Sequence, residues 1–217
     1  YIDSDLLINC PNETTAACGL DAITQLLEAY VSPNASALTD ALAYSGLECA
    51  LKSYMPCSDG ANLDIKDQHY HRLQMGYAAM LSGITLANAG LGVVHGYASP
   101  IGARYPIPHG VVCANLLPIA TEVNVKALFM RDPKSIALKK LSKVGKIIEP
   151  LAKDDFESIN NLIQTFYAFV KDNHIKTLGS YGLTKDDINK MLPTLDQKAN
   201  PIKLTQDELF EIGVARI

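Results

Sequence analysis

Apolar residues recur at steps of three and four along nearly the whole chain, and no other feature restricts the fold as much. Between 13 and 30, Leu20, Ile23, Leu27 and Tyr30 make one apolar stripe, which is what a helix with a single buried face requires. Asn12 is the expected cap of that helix, and Ser32-Pro33-Asn34 its end. The same period predicts helices over 36–54, 67–87, 91–101 and 109–120. The first of these is closed by Pro56 and a Ser58-Asp59-Gly60 turn; a loop fills 104–108, and Pro108 stands at the entry to the last. Further helices are expected over 133–149, 154–174, 184–192 and 205–215. Asp132-Pro133, Asp154-Asp155, Thr184-Lys185-Asp186 and the capping-box pair Thr205/Glu208 supply their start signals. No stretch alternates as a strand would, and there is no repeat or low-complexity segment. The expectation is an all-α, multi-helix domain spanning 1–217.

With 217 residues, 48% hydrophobic and 19% charged, the chain can bury a substantial core. A net charge of −4 with no Lys/Arg cluster argues against a nucleic-acid surface. No run of 18 apolar residues is present, so no membrane-spanning helix is expected. None of the five cysteines forms a CxxC pair. The eight-residue steps Cys10/Cys18 and Cys49/Cys57 match no metal-ligand spacing, so all five are expected to be buried, reduced thiols of a cytoplasmic protein. The opening Tyr1-Ile2-Asp3-Ser4-Asp5, without Met, reads as the interior of a longer protein.

Charge concentrates after residue 130, which leaves the few polar groups of the first half conspicuous. Asp21 and Gln25 lie four apart, on a helix face distinct from the Leu20/Ile23/Leu27 stripe. They fit either a solvated polar face or a pair of metal ligands. His95 sits in the nearly apolar segment Gly90–Gly96, and His109 opens the next helix. Each alone fits a hydrogen-bonded core histidine, while two histidines and a carboxylate together suit Fe²⁺ or Zn²⁺. Gly90, Gly92 and Gly96 imitate a dinucleotide fingerprint, but a helix rather than a strand precedes them, so close helix approach is the better account. His69 and His71 are expected to be exposed on different faces. His174 fits a favourable charge at a helix C-terminus.

Gly19-Leu20-Asp21-Ala22-Ile23-Thr24-Gln25-Leu26-Leu27-Glu28-Ala29-Tyr30-Val31-Ser32 resembles the "G-x-D-A-L-T-H-x-I-E-A-Y-V-S" segment of iron-containing (group III) alcohol dehydrogenases. The stretch 83–118 resembles that family's second signature. It carries Asn88-Ala89-Gly90-Leu91-Gly92, Val94-His95-Gly96, Pro100-Ile101-Gly102, Ile107-Pro108-His109-Gly110 and Asn115-Leu116-Leu117-Pro118. The resemblance implies the helical, dehydroquinate synthase-like C-terminal domain of a two-domain enzyme. The N-terminal NAD(P)-binding domain, with its glycine-rich "G-G-G-S-x-x-D" loop, is absent here, and the chain alone is then expected to be inactive.

Carried over residue by residue, the family's ligand Asp falls on Asp21, and two ligand histidines fall on His95 and His109. The remaining ligand histidine is Gln25 here, a neutral and weaker fourth donor. A histidine that faces the nicotinamide in the family is Ser99 here. The resemblance further implies Fe²⁺ or Zn²⁺, NAD or NADP, a small alcohol or aldehyde substrate, and a cytoplasmic homodimer. Two alternatives remain open: a metal-independent reductase of the same fold, favoured by Gln25 and Ser99, and a non-catalytic helical interaction module.

Overall fold

The computed structural model describes residues 1–59 and 63–217, and all regular structure among them is helical. The α-helices are α1 (Asn12–Val31), α2 (Ala37–Asp59), α3 (Ile65–Ala89), α4 (Val93–Arg104), α5 (His109–Arg131), α6 (Ile136–Ile148), α7 (Asp155–Asp172), α8 (Lys185–Met191) and α9 (Gln206–Val214). Short 3-10 turns occupy Ser4–Leu6, Leu178–Tyr181 and Leu192–Thr194.

Amphipathic patterning decides which helix goes where. α6 and α7 each carry one apolar face, through Leu138, Leu141 and Val144 on α6 and Ile159, Leu162 and Phe166 on α7, and they pack against each other. α5 is apolar nearly all round, and a helix of that kind must be enclosed. It runs through the middle of the core, touching α1, α4, α7 and α9. Although it contains no run of 18 apolar residues, its length and composition would suffice to cross a membrane, yet most of it is buried in protein. α1 is the second central helix, packed on α2, α3, α5 and α6. Buried tyrosines tie the layers together: Tyr54 donates from α2 to the Ala16 carbonyl, and Tyr97 from α4 to the Leu209 carbonyl.

Several boundaries differ from the sequence reading. Asn12 is the first helical residue of α1 rather than its cap, because Pro11 already occupies the cap position. Pro56 lies inside α2, which continues to Asp59, and α5, with Pro118 inside it, runs past 120 to Arg131. A proline removes one backbone hydrogen bond, and buried flanking turns can outweigh that loss. Of the expected turn after α2, Ser58 and Asp59 are helical, and Gly60 lies outside the described residues. Arg104 ends α4, so the connection to α5 is only Tyr105–Pro108. α6 is capped by Ser135 rather than by Asp132.

Candidate metal centre

Three helices deliver the polar groups of the site. On α1, Asp21, Gln25 and Glu28 follow one another at steps of four and three, and so share a face. α3 and α4 meet at a 100° bend, which turns the first residues of α4 toward that face. The first turn of α5 presses directly on α1: a Cβ at Gly110 would lie 2.5 Å from the Ala17 carbonyl oxygen. Only glycine permits this approach, and it sets His109 beside Asp21.

The result is a compact cluster. His95 Nε2 lies 3.2 Å from Asp21 Oδ1, and His109 Nε2 lies 3.5 Å from the same oxygen. The two imidazole centroids are 5.4 Å apart. Cys113, one turn beyond His109 on α5, places its sulfur 3.7 Å from His95 Nε2 and 3.6 Å from His109 Nε2. One potential ligand atom from each of these four residues lies within 4.8 Å of every other. The cluster opens toward His109, whose side chain is 53% exposed against 5% for His95.

Glu28 holds His95 from behind. Its Oε2 accepts from His95 Nδ1 at 2.7 Å, while Oε1 accepts the Val94 N–H at 2.7 Å. Val94 belongs to the first turn of α4, where backbone N–H groups lack helical partners and a carboxylate is favoured. One buried carboxylate therefore caps a helix and fixes a tautomer. Nε2 faces Asp21, His109 and Cys113, so that once a cation displaces its proton the ring is already in the orientation of a metal-binding histidine.

The electrostatics follow from this crowding. Burial opposes charge on His95, but hydrogen bonds with Asp21 and Glu28 and their negative charges outweigh it, raising its pKa to about 9. Burial also opposes the Asp21 charge. Hydrogen bonds from His95 and Cys113 and the charges of His109 and His95 prevail there, and the carboxyl stays below its ordinary value. Burial, then the Asp21 charge, push the Cys113 thiol up, so it is neutral in the metal-free protein. The donor set fits a divalent cation: one carboxylate, two imidazoles and a thiol are ligands that zinc accepts, and iron accepts the first two types.

The remaining candidate residues fall out differently. Gln25 donates its amide N–H to Asp21 Oδ2 at 3.0 Å, and its amide oxygen accepts from Ser82 Oγ at 2.7 Å. It is thus a hydrogen-bond partner of the carboxylate, with the oxygen expected to serve as a weak fourth donor already engaged. Ser99 is exposed on α4, one turn after His95. Gly96 is approached not by a helix but by a loop, since a Cβ there would lie 2.1 Å from the Asp196 carbonyl oxygen. His69 and His71 are half-buried rather than exposed; their Nδ1 atoms lie 3.1 Å and 3.0 Å from the hydroxyls of Ser4 and Ser53. His174 is exposed just beyond α7. All five cysteines are free, but only Cys57 and Cys113 are buried, and Cys18 is exposed.

Sequence reasoning missed Cys113 and Glu28. A signal for the first was present, because His109 and Cys113 are four apart on one helix, the spacing of a ligand pair. Glu28 had none, because its partners come from α4, 66 and 67 positions along the chain.

Known proteins show the same arrangement of chain. The NADPH-dependent butanol dehydrogenase of Clostridium saccharobutylicum is 30% identical over 97% of this chain and 53% of its own length. The lactaldehyde reductase of Escherichia coli K12 is 30% identical over 98% of this chain and 53% of its own. The crystal structure of a 1,3-propanediol oxidoreductase superposes with a TM-score of 0.85 at 27% identity, over 99% of this chain and 55% of that one. The chain thus spans about half the length of these relatives. Residues 15–215 match the model of the C-terminal part of the Fe-containing alcohol dehydrogenases, and with that match the chain belongs to the Fe-containing alcohol dehydrogenase family.

Proposed function

We propose that this chain is the metal-site and substrate-cleft half of an NAD(P)-linked enzyme that interconverts small alcohols and aldehydes by hydride transfer. The observation that carries the reading is the convergence of Asp21, His95 and His109, with His95 clamped by Glu28. Bound there, a divalent cation would act as a Lewis acid on the substrate oxygen, and a nicotinamide held by a separate N-terminal half would carry the hydride. Asp21 supplies the negative charge that a cation needs. Glu28 keeps the Nε2 lone pair of His95 on the donor cluster. The cluster is buried on the His95 side and open at His109, so substrate would reach it past His109. The relatives support the substrate class: one is a butanol dehydrogenase and another a lactaldehyde reductase.

Calorimetric titration of the chain with Zn²⁺ tests the centre. One site per chain is expected, and His95→Ala should abolish it; a titration without a saturable site would refute the reading.

A specific observation favours a second reading, a metal-independent reductase. The polar groups of the site already satisfy one another, with His95 between Asp21 and Glu28, and Gln25 between Asp21 and Ser82. The same titration separates the two, since this second reading expects no tight site.

A further inference from the structure

We propose that Cys113 is the fourth protein ligand of the metal centre, so that Asp21, His95, His109 and Cys113 form a zinc-type site in which α5 supplies the donor that α1 lacks. This rests on the metal-centre reading above and assigns a ligand set and a preferred ion to it, to which the substrate oxygen would add as a fifth ligand.

Geometry carries the inference. A tetrahedral zinc site has bond lengths of about 2.0–2.1 Å to nitrogen or oxygen and about 2.3 Å to sulfur. Those lengths fix the edges of the tetrahedron at about 3.3 Å between N or O donors and about 3.6 Å between nitrogen and sulfur. The measured separations are 3.2 and 3.5 Å from Asp21 Oδ1 to the two imidazole nitrogens, and 3.7 and 3.6 Å from Cys113 Sγ to the same nitrogens. Four edges of one coordination polyhedron are therefore present before any ion enters.

Chemistry points the same way. His109 and Cys113 sit at i and i+4 on α5, so both project from one helix face. The fourth position on α1, Gln25, is occupied with Asp21 and Ser82. A site of one carboxylate and neutral donors leaves a divalent cation with net charge +1 in a partly buried place. A thiolate cancels that charge. As the sulfur–metal bond forms, the thiol proton leaves to bulk buffer, since a bound cation deprotonates a coordinating thiol. Thiolate ligands also shift preference from iron toward zinc.

Cobalt(II), a spectroscopic stand-in for zinc, provides the test on the reduced 217-residue chain. One equivalent should bind with an intense visible spectrum of tetrahedral type and a near-ultraviolet thiolate-to-cobalt charge-transfer band, and Zn²⁺ should bleach both. Cys113→Ser should remove the charge-transfer band and weaken Zn²⁺ binding at least tenfold. Adding Gln25→His to Cys113→Ser should restore affinity without restoring the band. If Cys113→Ser fails to fold by circular dichroism, a chain with Cys10, Cys18, Cys49 and Cys57 replaced by Ser leaves Cys113 as the one thiol, and the band must persist there. Cobalt that binds through His95, is lost in His95→Ala, but shows no thiolate band would overturn the role of Cys113 and leave the metal centre standing. No cobalt binding to a folded chain would overturn both.

Discussion

Glu28→Gln removes one negative charge and almost nothing else, and the structure sets its cost. The side chain is 7% exposed, and each carboxylate oxygen accepts one 2.7 Å hydrogen bond, from Val94 N–H and from His95 Nδ1. An amide has one oxygen, so one of these buried donors would face an NH₂ group. An unsatisfied buried donor costs about 1–3 kcal/mol while His95 holds a proton on Nδ1. A second cost depends on pH. The His95 pKa is raised from 6.5 to about 9 in the metal-free fold, so protonation favours the folded state. The stabilisation is fully present below pH 6.5 and is lost as pH rises through about 9; its full size is about 3 kcal/mol. Asp21 and Glu28 both contribute, so Glu28→Gln removes part of that sum and Asp21 retains the rest. The variant should therefore lose more at about pH 6, where both costs apply, than at about pH 10, where the charge-dependent one has gone.

Because the chain has no tryptophan, far-ultraviolet circular dichroism is the signal of choice for urea unfolding, with chelator and reductant present. Equal losses at the two pH values would refute the coupling of Glu28 to His95. Undiminished stability at both would refute its place in the network altogether. In the metal-bound protein, the same change should weaken Zn²⁺ binding about 10–100-fold, the usual effect of losing the partner that orients a ligating histidine.

Gly96→Ala places a methyl group 2.1 Å from the Asp196 carbonyl oxygen, and overpacking of this kind costs about 1–3 kcal/mol. An unchanged urea midpoint would mean that the loop over 195–204 shifts freely. Lys140→Met keeps the stem but removes the ammonium that bonds the Tyr30 carbonyl at 2.8 Å and Asp40 at 2.7 Å; a loss of about 1–3 kcal/mol is expected in thermal unfolding. No loss would show that water replaces the pair. The chain alone should oxidise no alcohol with NAD or NADP, because the proposed reading assigns the nicotinamide to another half. Saturable, metal-dependent hydride transfer by these 217 residues would count against that division of labour.

Local chemistry explains which parts of the fold were legible. Thr184 and Thr205 start their helices with capping boxes, and Asp154 caps α7; all three signals sit within four residues of what they determine. The errors lie where tertiary burial outweighs a local rule. The helix expected over 109–120 is 11 residues too short, because α5 is enclosed by its neighbours and runs on to Arg131. His69 and His71 read as exposed from their spacing alone, yet Ser4 and Ser53 come from distant segments to meet them. The candidate site divides in the same way. Asp21, His95 and His109 stand out as polar residues in apolar surroundings. Cys113 is apolar enough to disappear into such surroundings, and thiols compared only with other thiols do not reveal a histidine partner.

Placing a ligand on α5 rather than α1 changes what the centre depends on. With the missing imidazole on α1, two ligands would share that helix and its rigidity. With Cys113, the rigid pair is His109 and Cys113 on α5, and Asp21 becomes the single donor from α1. The distance between those helices is then itself a coordination parameter. Gly110 against the Ala17 carbonyl sets that distance, and neither residue offers the cluster a ligand atom. A side chain at 110 would push α5 outward and lengthen both His109–Asp21 and Cys113–Asp21 together, whereas His95, held by Glu28, would stay. The site is thus built as two halves, Asp21 with a clamped His95 and the His109/Cys113 pair, with Gly110 against Ala17 where α5 meets α1.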